Sequence, residues 1–214
     1  MKKLFLSSYF TGIAKVFPDF SGDCSGKKVV FIPTASLKEK MPFHVGSDKN
    51  ALKKLGMIVT ELEISSISQN EIVKNIVSTD YIFVSGGNTF FLLQELKRKG
   101  VDKMIVEHIN NGKLYIGSSA GSIVLTKDIG YIKIMEEIGY SKHIDPRDAA
   151  PDLNNDFSSL SVIDFYIVPH YNNFPFKKAA ERTIKEYSDK LDLRPISNNQ
   201  AIVIDCDKVK QITI

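Results

Sequence analysis

The chain has 214 residues, of which 43% are hydrophobic and 25% charged, and its formal net charge is +3. These values are those of an ordinary globular protein, and the length favours a single α/β domain over residues 1–214. Lysines are interspersed with acidic residues, so no basic stripe indicates a nucleic-acid partner. No run approaches the 18 apolar residues of a spanning helix, so we expect no membrane partner.

The cysteines and the N-terminus indicate the compartment. Cys24 and Cys206 are far apart and lack metal-ligand spacing, which favours a reducing environment without a disulfide. The apolar run at the start is too short for a signal peptide, and acidic residues soon follow. We therefore expect a cytoplasmic protein, a monomer or a homodimer.

The first half of the chain alternates between apolar runs and amphipathic stretches. Strands are predicted at residues 4–6, 28–32, 57–62, 81–84 and 114–116. Helices are predicted at 10–17, where Pro18 ends the helix, at 48–55 and at 101–109. Two further helices are predicted to begin after caps, one at Ser68 and one at Asn88 or Thr89. Such alternation is typical of βαβ units and predicts a mostly parallel sheet covered on both faces.

After Thr126 the pattern loosens. Residues 129–138 are predicted to form a hairpin or an irregular crossover, and 145–156 a polar, proline-punctuated loop. A strand is expected at 162–168, a helix at 177–191, and two antiparallel closing strands near a sheet edge at 201–205 and 209–214.

A G-x-S-x-G pattern at 117–121 follows the predicted strand 114–116 and precedes a short apolar stretch that can form a helix. In a strand–turn–helix context this pattern indicates a nucleophile elbow that exposes Ser119. The amide of Ala120, at the helix N-terminus, could then donate to an oxyanion. The alternative is a glycine- and serine-rich turn that only packs closely against the sheet.

A second turn, Ser85-Gly86-Gly87-Asn88, follows the predicted strand 81–84. Ligands of parallel sheets bind outside the carboxyl ends of the strands, where this turn and Ser119 should meet. We expect the Gly87 amide to be the second oxyanion donor, with Gly86 and Asn88 beside the substrate. A plain βα turn remains the alternative.

A serine nucleophile needs a base, and the chain has four histidines. His170 directly follows an apolar strand and should lie at the same sheet edge as Ser119. His44 is interpreted as a surface residue in a polar loop, His108 as a helix residue, and His143 as a loop residue.

The histidine in turn needs an acceptor that orients its ring. Asp148 and Asp152 lie in the loop before the strand, and Glu136 and Glu137 are poorer candidates. The order Ser119, Asp148, His170 is one of the chain orders known for such triads.

Three segments together resemble peptidase family S51, the peptidase E or aspartyl dipeptidase group. They are Val84-Ser85-Gly86-Gly87-Asn88-Thr89-Phe90, Tyr115-Ile116-Gly117-Ser118-Ser119-Ala120-Gly121 and Pro169-His170-Tyr171. The resemblance implies a flavodoxin-like three-layer α/β/α sandwich, related to class I glutamine amidotransferases. It also implies metal-free, cofactor-free cleavage of dipeptides that begin with aspartate.

Matched by motif, Ser119 is the nucleophile, His170 the base, Gly87 and Ala120 the oxyanion donors, and Asp148 the third triad member. The chain departs from the family in its longer segment before Asp148 and in Ser118, which replaces a common tryptophan. Some relatives place a glutamate well after the histidine. Here residues 196–200 hold no carboxylate, so a Ser-His-Glu triad is not expected.

We therefore predict a serine peptidase whose partner is a small peptide. A cation should meet the side chain of a substrate aspartate, and Lys177, Lys178 and Arg182 are candidates. The alternatives are a related serine hydrolase, such as a cyanophycinase-like enzyme, isoaspartyl peptidase or esterase, and a catalytically silent protein that binds a small molecule.

Overall fold

A computed structural model describes residues 1–39, 42–137 and 146–214. Its nine strands within these ranges are β1 Lys3–Ser7, β2 Lys28–Ile32, β3 Ile58–Glu61, β4 Tyr81–Val84, β5 Leu114–Ser118, β6 Tyr166–Val168, β7 Leu193–Pro195, β8 Gln200–Asp205 and β9 Lys208–Thr213. Seven of them form one sheet in the order β3-β2-β4-β5-β1-β8-β9. Strands β1 to β5 are parallel, and β8 and β9 continue the sheet antiparallel at one edge.

The helices alternate with the strands through the first half of the chain. They are α1 Phe10–Ile13, α2 Phe17–Ser21, α3 Phe43–Lys54, α4 Gln69–Ser78, α5 Thr89–Arg98, α6 Val101–Asn110, α7 Ala120–Ile123, α8 Lys133–Glu136 and α9 Lys177–Tyr187. The predicted caps are confirmed: the Ser68 hydroxyl accepts from the amide of Glu71, and Asn88 Oδ1 accepts from the amide of Phe91 at 2.7 Å. Within the described ranges, no helix is long and apolar enough to span a membrane.

The central strands of the sheet are buried on both faces, and alternate residues of each strand point to opposite sides. Leu4 of β1 packs in a core cluster with α4, α5 and α6, whereas the adjacent Phe5 packs with α1, α2 and α3. Helices therefore cover both faces, and the predicted three-layer α/β/α fold with a mostly parallel sheet is confirmed.

A small second sheet lies beside the main one. Strands β6 and β7 pair in parallel, with Tyr166 opposite Leu193. Val168 at the end of β6 joins a third core cluster with residues of α5, α7 and α9. This packing holds the carboxyl end of β6 near that of β5.

Several predictions need correction. Pro18 lies in the first turn of α2 instead of ending a helix, because proline at that position lacks only an amide that would be unpaired anyway. The described residues 130–136 form a 3₁₀ turn and α8, not a hairpin. Of the expected strand 162–168, only Tyr166–Val168 forms a strand that pairs with another. Helix α3 begins at Phe43, earlier than predicted.

Candidate active site

The turn after β5 has the sharp geometry that the G-x-S-x-G pattern predicts. Ser119 has φ 49° and ψ −109°, a conformation that a serine rarely adopts, and α7 begins at the next residue. The Ser119 amide donates to the carbonyl of Ser7 at 3.0 Å, which ties the turn to β1. The side chain of Ser119 is left half-buried at the carboxyl end of the sheet.

The last glycine of the pattern is required by packing. A Cβ on residue 121 would lie 2.0 Å from the carbonyl oxygen of Val84, a distance that no side chain tolerates. Gly121 therefore lets α7 sit directly against β4. This close approach brings the two turns that follow β4 and β5 together.

His170 reaches Ser119 from the second sheet. It follows β6 after Pro169 and has φ 57°, so the chain turns sharply there. Its ring stacks on Phe176, with the ring centroids 4.6 Å apart. His170 Nε2 lies 3.0 Å from Ser119 Oγ, which is hydrogen-bond distance. The structure thus brings together the two side chains that the sequence paired.

The other ring nitrogen contacts a residue that the sequence reasoning missed. His170 Nδ1 lies 2.7 Å from Oδ1 of Asn198, which follows β7. Ser8, just after β1, accepts from the His170 amide at 2.7 Å and donates to Asn198 Oδ1 at 2.9 Å. An Nδ1–H that donates to Asn198 leaves Nε2 free to accept the serine proton.

The prediction of Asp148 as the orienting acceptor is therefore corrected. Asp148 is exposed on a 3₁₀ turn, Pro146–Ala149, that packs beside α5. Among the described residues, the His170 ring hydrogen-bonds to Ser119, Asn198 and Ser8.

The alternative acids do not contact His170 either. Asp152 is exposed, and its amide donates to the Gln94 side chain. Glu137 is exposed. Glu136 is nearer to the site, but its Oε1 accepts from the amide of Thr89 at 2.9 Å and from the Thr89 hydroxyl. The sequence analysis considered residues 196–200 only for a carboxylate and therefore passed over Asn198.

Burial controls the protonation of His170. It lowers the pKa of His170 to about 4, an effect that the Asn198 hydrogen bond opposes and the nearby His44 strengthens. The imidazole is therefore neutral near pH 7 and can accept a proton. Asparagine fixes the tautomer as an aspartate would, but it adds no charge to stabilise an imidazolium.

Gly87 occupies a position that only glycine fits. Its φ is 134°, and a Cβ would lie 2.3 Å from the carbonyl carbon of Ala35. The amide of Asn88 donates to the Ala35 carbonyl oxygen at 2.9 Å, which fixes the turn. Ala120 is the first residue of α7, so its amide has no acceptor within the helix.

A cavity of about 490 Å³ opens over Ser119. This volume suits a small ligand. The predicted residues Gly86, Gly87 and Asn88 line it together with Ser119, His170 and Asn198.

The described ionisable side chains that line the cavity, apart from His170, are those of Tyr9, Lys38, Glu39, His44 and Glu136. Burial raises the pKa of Glu136 to about 7; hydrogen bonds from Thr89 oppose the rise, and Glu39 adds to it. His44, predicted to be a surface residue, instead lies on α3 and faces the site.

The predicted substrate-reading cations lie elsewhere. Lys177, Lys178 and Arg182 are exposed on α9 and are not among the described residues that line the cavity. Lys38 is the lysine that lines it, with Nζ 4.4 Å from the centre of the Phe91 ring.

Comparison with known proteins identifies relatives along the whole chain. A profile of peptidase family S51 matches residues 4–212. An uncharacterised peptidase of Pasteurella multocida is 46% identical over 205 residues, covering 96% of this chain and 94% of that protein. A peptidase E of Shewanella sp. (strain ANA-3) is 32% identical over 151 residues, 70% of this chain and 56% of that protein.

Solved structures agree with these matches. A crystal structure of a candidate peptidase E from Listeria monocytogenes superimposes with a TM-score of 0.88 at 41% identity, covering 100% of this chain and 99% of that one. A peptidase from an acI-B1 actinobacterium, 19% identical with a TM-score of 0.69, shares the fold and covers 100% of this chain and 88% of that one. The chain therefore belongs to peptidase family S51 and is a serine-type peptidase.

Proposed function

We propose that this peptidase hydrolyses short peptides, in particular dipeptides that begin with aspartate, through an acyl-enzyme on Ser119. The observation that carries the proposal is the 3.0 Å contact between Ser119 Oγ and His170 Nε2 at a strained strand-to-helix turn. A nucleophile paired with a neutral base in a cavity is the arrangement that acyl transfer requires.

In the first half of the reaction, Ser119 Oγ attacks the substrate carbonyl carbon while His170 Nε2 takes the hydroxyl proton. The carbonyl oxygen becomes an oxyanion that accepts hydrogen bonds from the amides of Gly87 and Ala120. His170 then gives its proton to the leaving amine as the C–N bond breaks. In the second half, water attacks the acyl-enzyme with His170 again as the base.

Asn198 replaces aspartate as the third member of the triad in this proposal. Its Oδ1 holds the His170 ring through Nδ1, which supports the tautomer that catalysis needs. A Cys-His-Asn arrangement serves papain-like proteases in the same way. Among the described residues no carboxylate hydrogen-bonds to the His170 ring, so no adjacent negative charge counters the effect of burial on its pKa.

The cavity supports a substrate of dipeptide size. Its volume of about 490 Å³ has room for a small molecule. Lys38 is the cation within it that could meet the carboxylate of an aspartyl side chain, and Glu136 and Glu39 could meet the substrate ammonium group. A 32% identical relative is named peptidase E, which supports a peptide as the substrate.

Hydrolysis of an aspartyl dipeptide panel tests the proposal. We expect turnover of α-linked Asp-Xaa dipeptides by the wild type and none by Ser119→Ala. Parallel β-linked dipeptides and simple esters separate the related hydrolases, since preferential cleavage of either would replace the aspartyl dipeptidase assignment.

A fluorophosphonate probe tests whether the serine is activated at all. Labelling of Ser119 in the wild type and its loss in His170→Ala would support the mechanism. A wild type that is neither labelled nor active on any member of the panel would contradict it.

A further inference from the structure

His44 lines the same cavity as His170 and has no part in the mechanism above. It is half-buried on α3, with Nε2 3.2 Å from the carbonyl oxygen of Gly86. Its other ring nitrogen, Nδ1, lies 3.5 Å from Glu39 Oε2. Both ring nitrogens therefore face oxygen atoms, so the ring is held at both ends.

The carbonyl that His44 contacts belongs to the same peptide group as the Gly87 amide. A trans peptide is planar, and its C=O and N–H point in opposite directions. A hydrogen bond that fixes the Gly86 oxygen therefore also fixes the direction of the Gly87 N–H.

This peptide needs an external restraint. It lies between two glycines, which have no Cβ to limit rotation of the peptide plane. It is also close to the nucleophile, since a Cβ on Gly86 would be 3.2 Å from the Ser119 Cβ and 3.6 Å from His44 Nε2. Small rotations here would move a donor that the oxyanion depends on.

We infer that His44, supported by Glu39, is a positioning residue that holds the Gly86–Gly87 peptide so that its N–H faces the oxyanion. The inference rests on the proposed function, because the Gly87 amide matters only if Ser119 forms a tetrahedral intermediate. His44 Nε2–H donates to the Gly86 oxygen, and Glu39, whose Oε2 lies 3.5 Å from Nδ1, keeps the ring in place. The site then has two histidines with different tasks: His170 moves the proton, and His44 orients the donor.

The size of the effect follows from oxyanion holes in general. Removing one donor costs roughly 10²–10³-fold in kcat. A donor that is present but misdirected should cost less, so we expect a loss of about 10–100-fold. Because the oxyanion exists only after attack, the loss should fall on kcat and leave KM nearly unchanged.

The test compares His44→Phe, which keeps a ring without a donor, with His44→Gln, whose side-chain amide can still donate. Kinetics on aspartyl p-nitroanilide should show kcat reduced about 10–100-fold in His44→Phe, with KM changed less than about threefold. Inhibition by the boronic acid analogue of aspartate, which forms a tetrahedral adduct, should weaken by the same factor as kcat. His44→Gln should recover most of the rate, and Glu39→Gln should lose less than His44→Phe.

Three results would overturn the inference: wild-type kcat in His44→Phe, equal weakening of the boronate and of the product aspartate, or no recovery in His44→Gln. The rate of fluorophosphonate labelling at Ser119 gives a readout that does not depend on the substrate. Equal labelling of the wild type and a folded His44→Phe would refute the role of His44 while leaving the peptidase proposal intact. A wild type without turnover or labelling would refute both.

Discussion

A histidine lies beside each end of β5, and the two histidines behave differently. At the amino end, His108 of α6 is 4% exposed and its Nε2 lies 3.1 Å from the carbonyl oxygen of Leu114. At the carboxyl end, His170 Nε2 lies 3.0 Å from the hydroxyl of Ser119. Burial lowers the pKa of each to about 4.

The partner of the ring decides what that low pKa means. A carbonyl oxygen can only accept, so His108 Nε2–H donates and the contact is structural. A hydroxyl can donate, so His170 Nε2 accepts and is ready to take the proton. A perturbed pKa therefore marks a reactive site only when the geometry supplies a proton to move.

The largest expected effect is the loss of turnover at the carboxyl end. His170→Ala should lower kcat/KM by roughly 10⁴-fold or more, because the serine loses its base. His108→Gln is the matched control at the amino end and should keep kcat/KM within about threefold. Steady-state kinetics on an aspartyl dipeptide measures both values of kcat/KM. Similar losses in the two variants would contradict the different roles assigned to the two histidines.

The stability of the protein in acid should depend on His108, the histidine at the amino end of β5. The pKa of His108 is about 4 in the folded protein and about 6.5 in the unfolded chain, so the unfolded state binds the proton first as pH falls. The free energy of unfolding should drop by about 3 kcal/mol between pH 6.5 and 4 because of this group. His108→Gln should remove that part of the drop in urea titrations at pH 7 and pH 4. Identical pH dependence in wild type and variant would contradict it.

Glu136, in the cavity at the carboxyl end, should have the opposite pH dependence. Its folded pKa of about 7 exceeds the usual 4.5, so its cost to stability is absent below about pH 4.5 and grows to about 3 kcal/mol above pH 7. Glu136→Gln should therefore be more stable than wild type at pH 8 and equal to it near pH 4. The exposed neighbour Glu137 provides the control, since Glu137→Gln should show no such difference in thermal or urea unfolding.

The smallest effect concerns the third triad position. Asn198→Asp places a carboxylate beside the imidazole and should raise the pKa of His170 by about 1–2 units. The acid limb of the kcat/KM profile should move upward by the same amount, while Asn199→Asp, at an exposed neighbour, should leave it in place. An unmoved acid limb in Asn198→Asp would mean that Asn198 does not hold the ring during catalysis.

The first half of the fold could be predicted from the sequence because its signals are local. Strands β1, β2, β4 and β5 contain apolar runs, and two helices begin at short polar caps, Ser68 and Asn88. After Thr126 the structure depends on packing between distant segments. The β6–β7 pair, for example, joins Tyr166 to Leu193, and no local pattern encodes that contact.

The site was predictable to a similar extent. Ser119 and His170 follow recognisable strands, so their meeting could be expected from the edge they share. Asn198 could not be found by a search for acids, because a neutral amide can orient a histidine as well. No predicted strand ends directly before His44, so the sequence did not place this residue at the edge of the sheet. The structure brings it to the cavity because it lies on α3.

The proposed catalytic pair is divided between two sheets, with Ser119 after a strand of the main sheet and His170 after a strand of the small one. Asn198 comes later still, between β7 and β8. During synthesis on the ribosome, the serine therefore emerges about 50 residues before its base and about 80 before the amide that aligns it. Under the proposed mechanism, the unfinished chain should therefore be unable to cut peptides, and hydrolytic competence should appear only when the C-terminal segment has been made and docked.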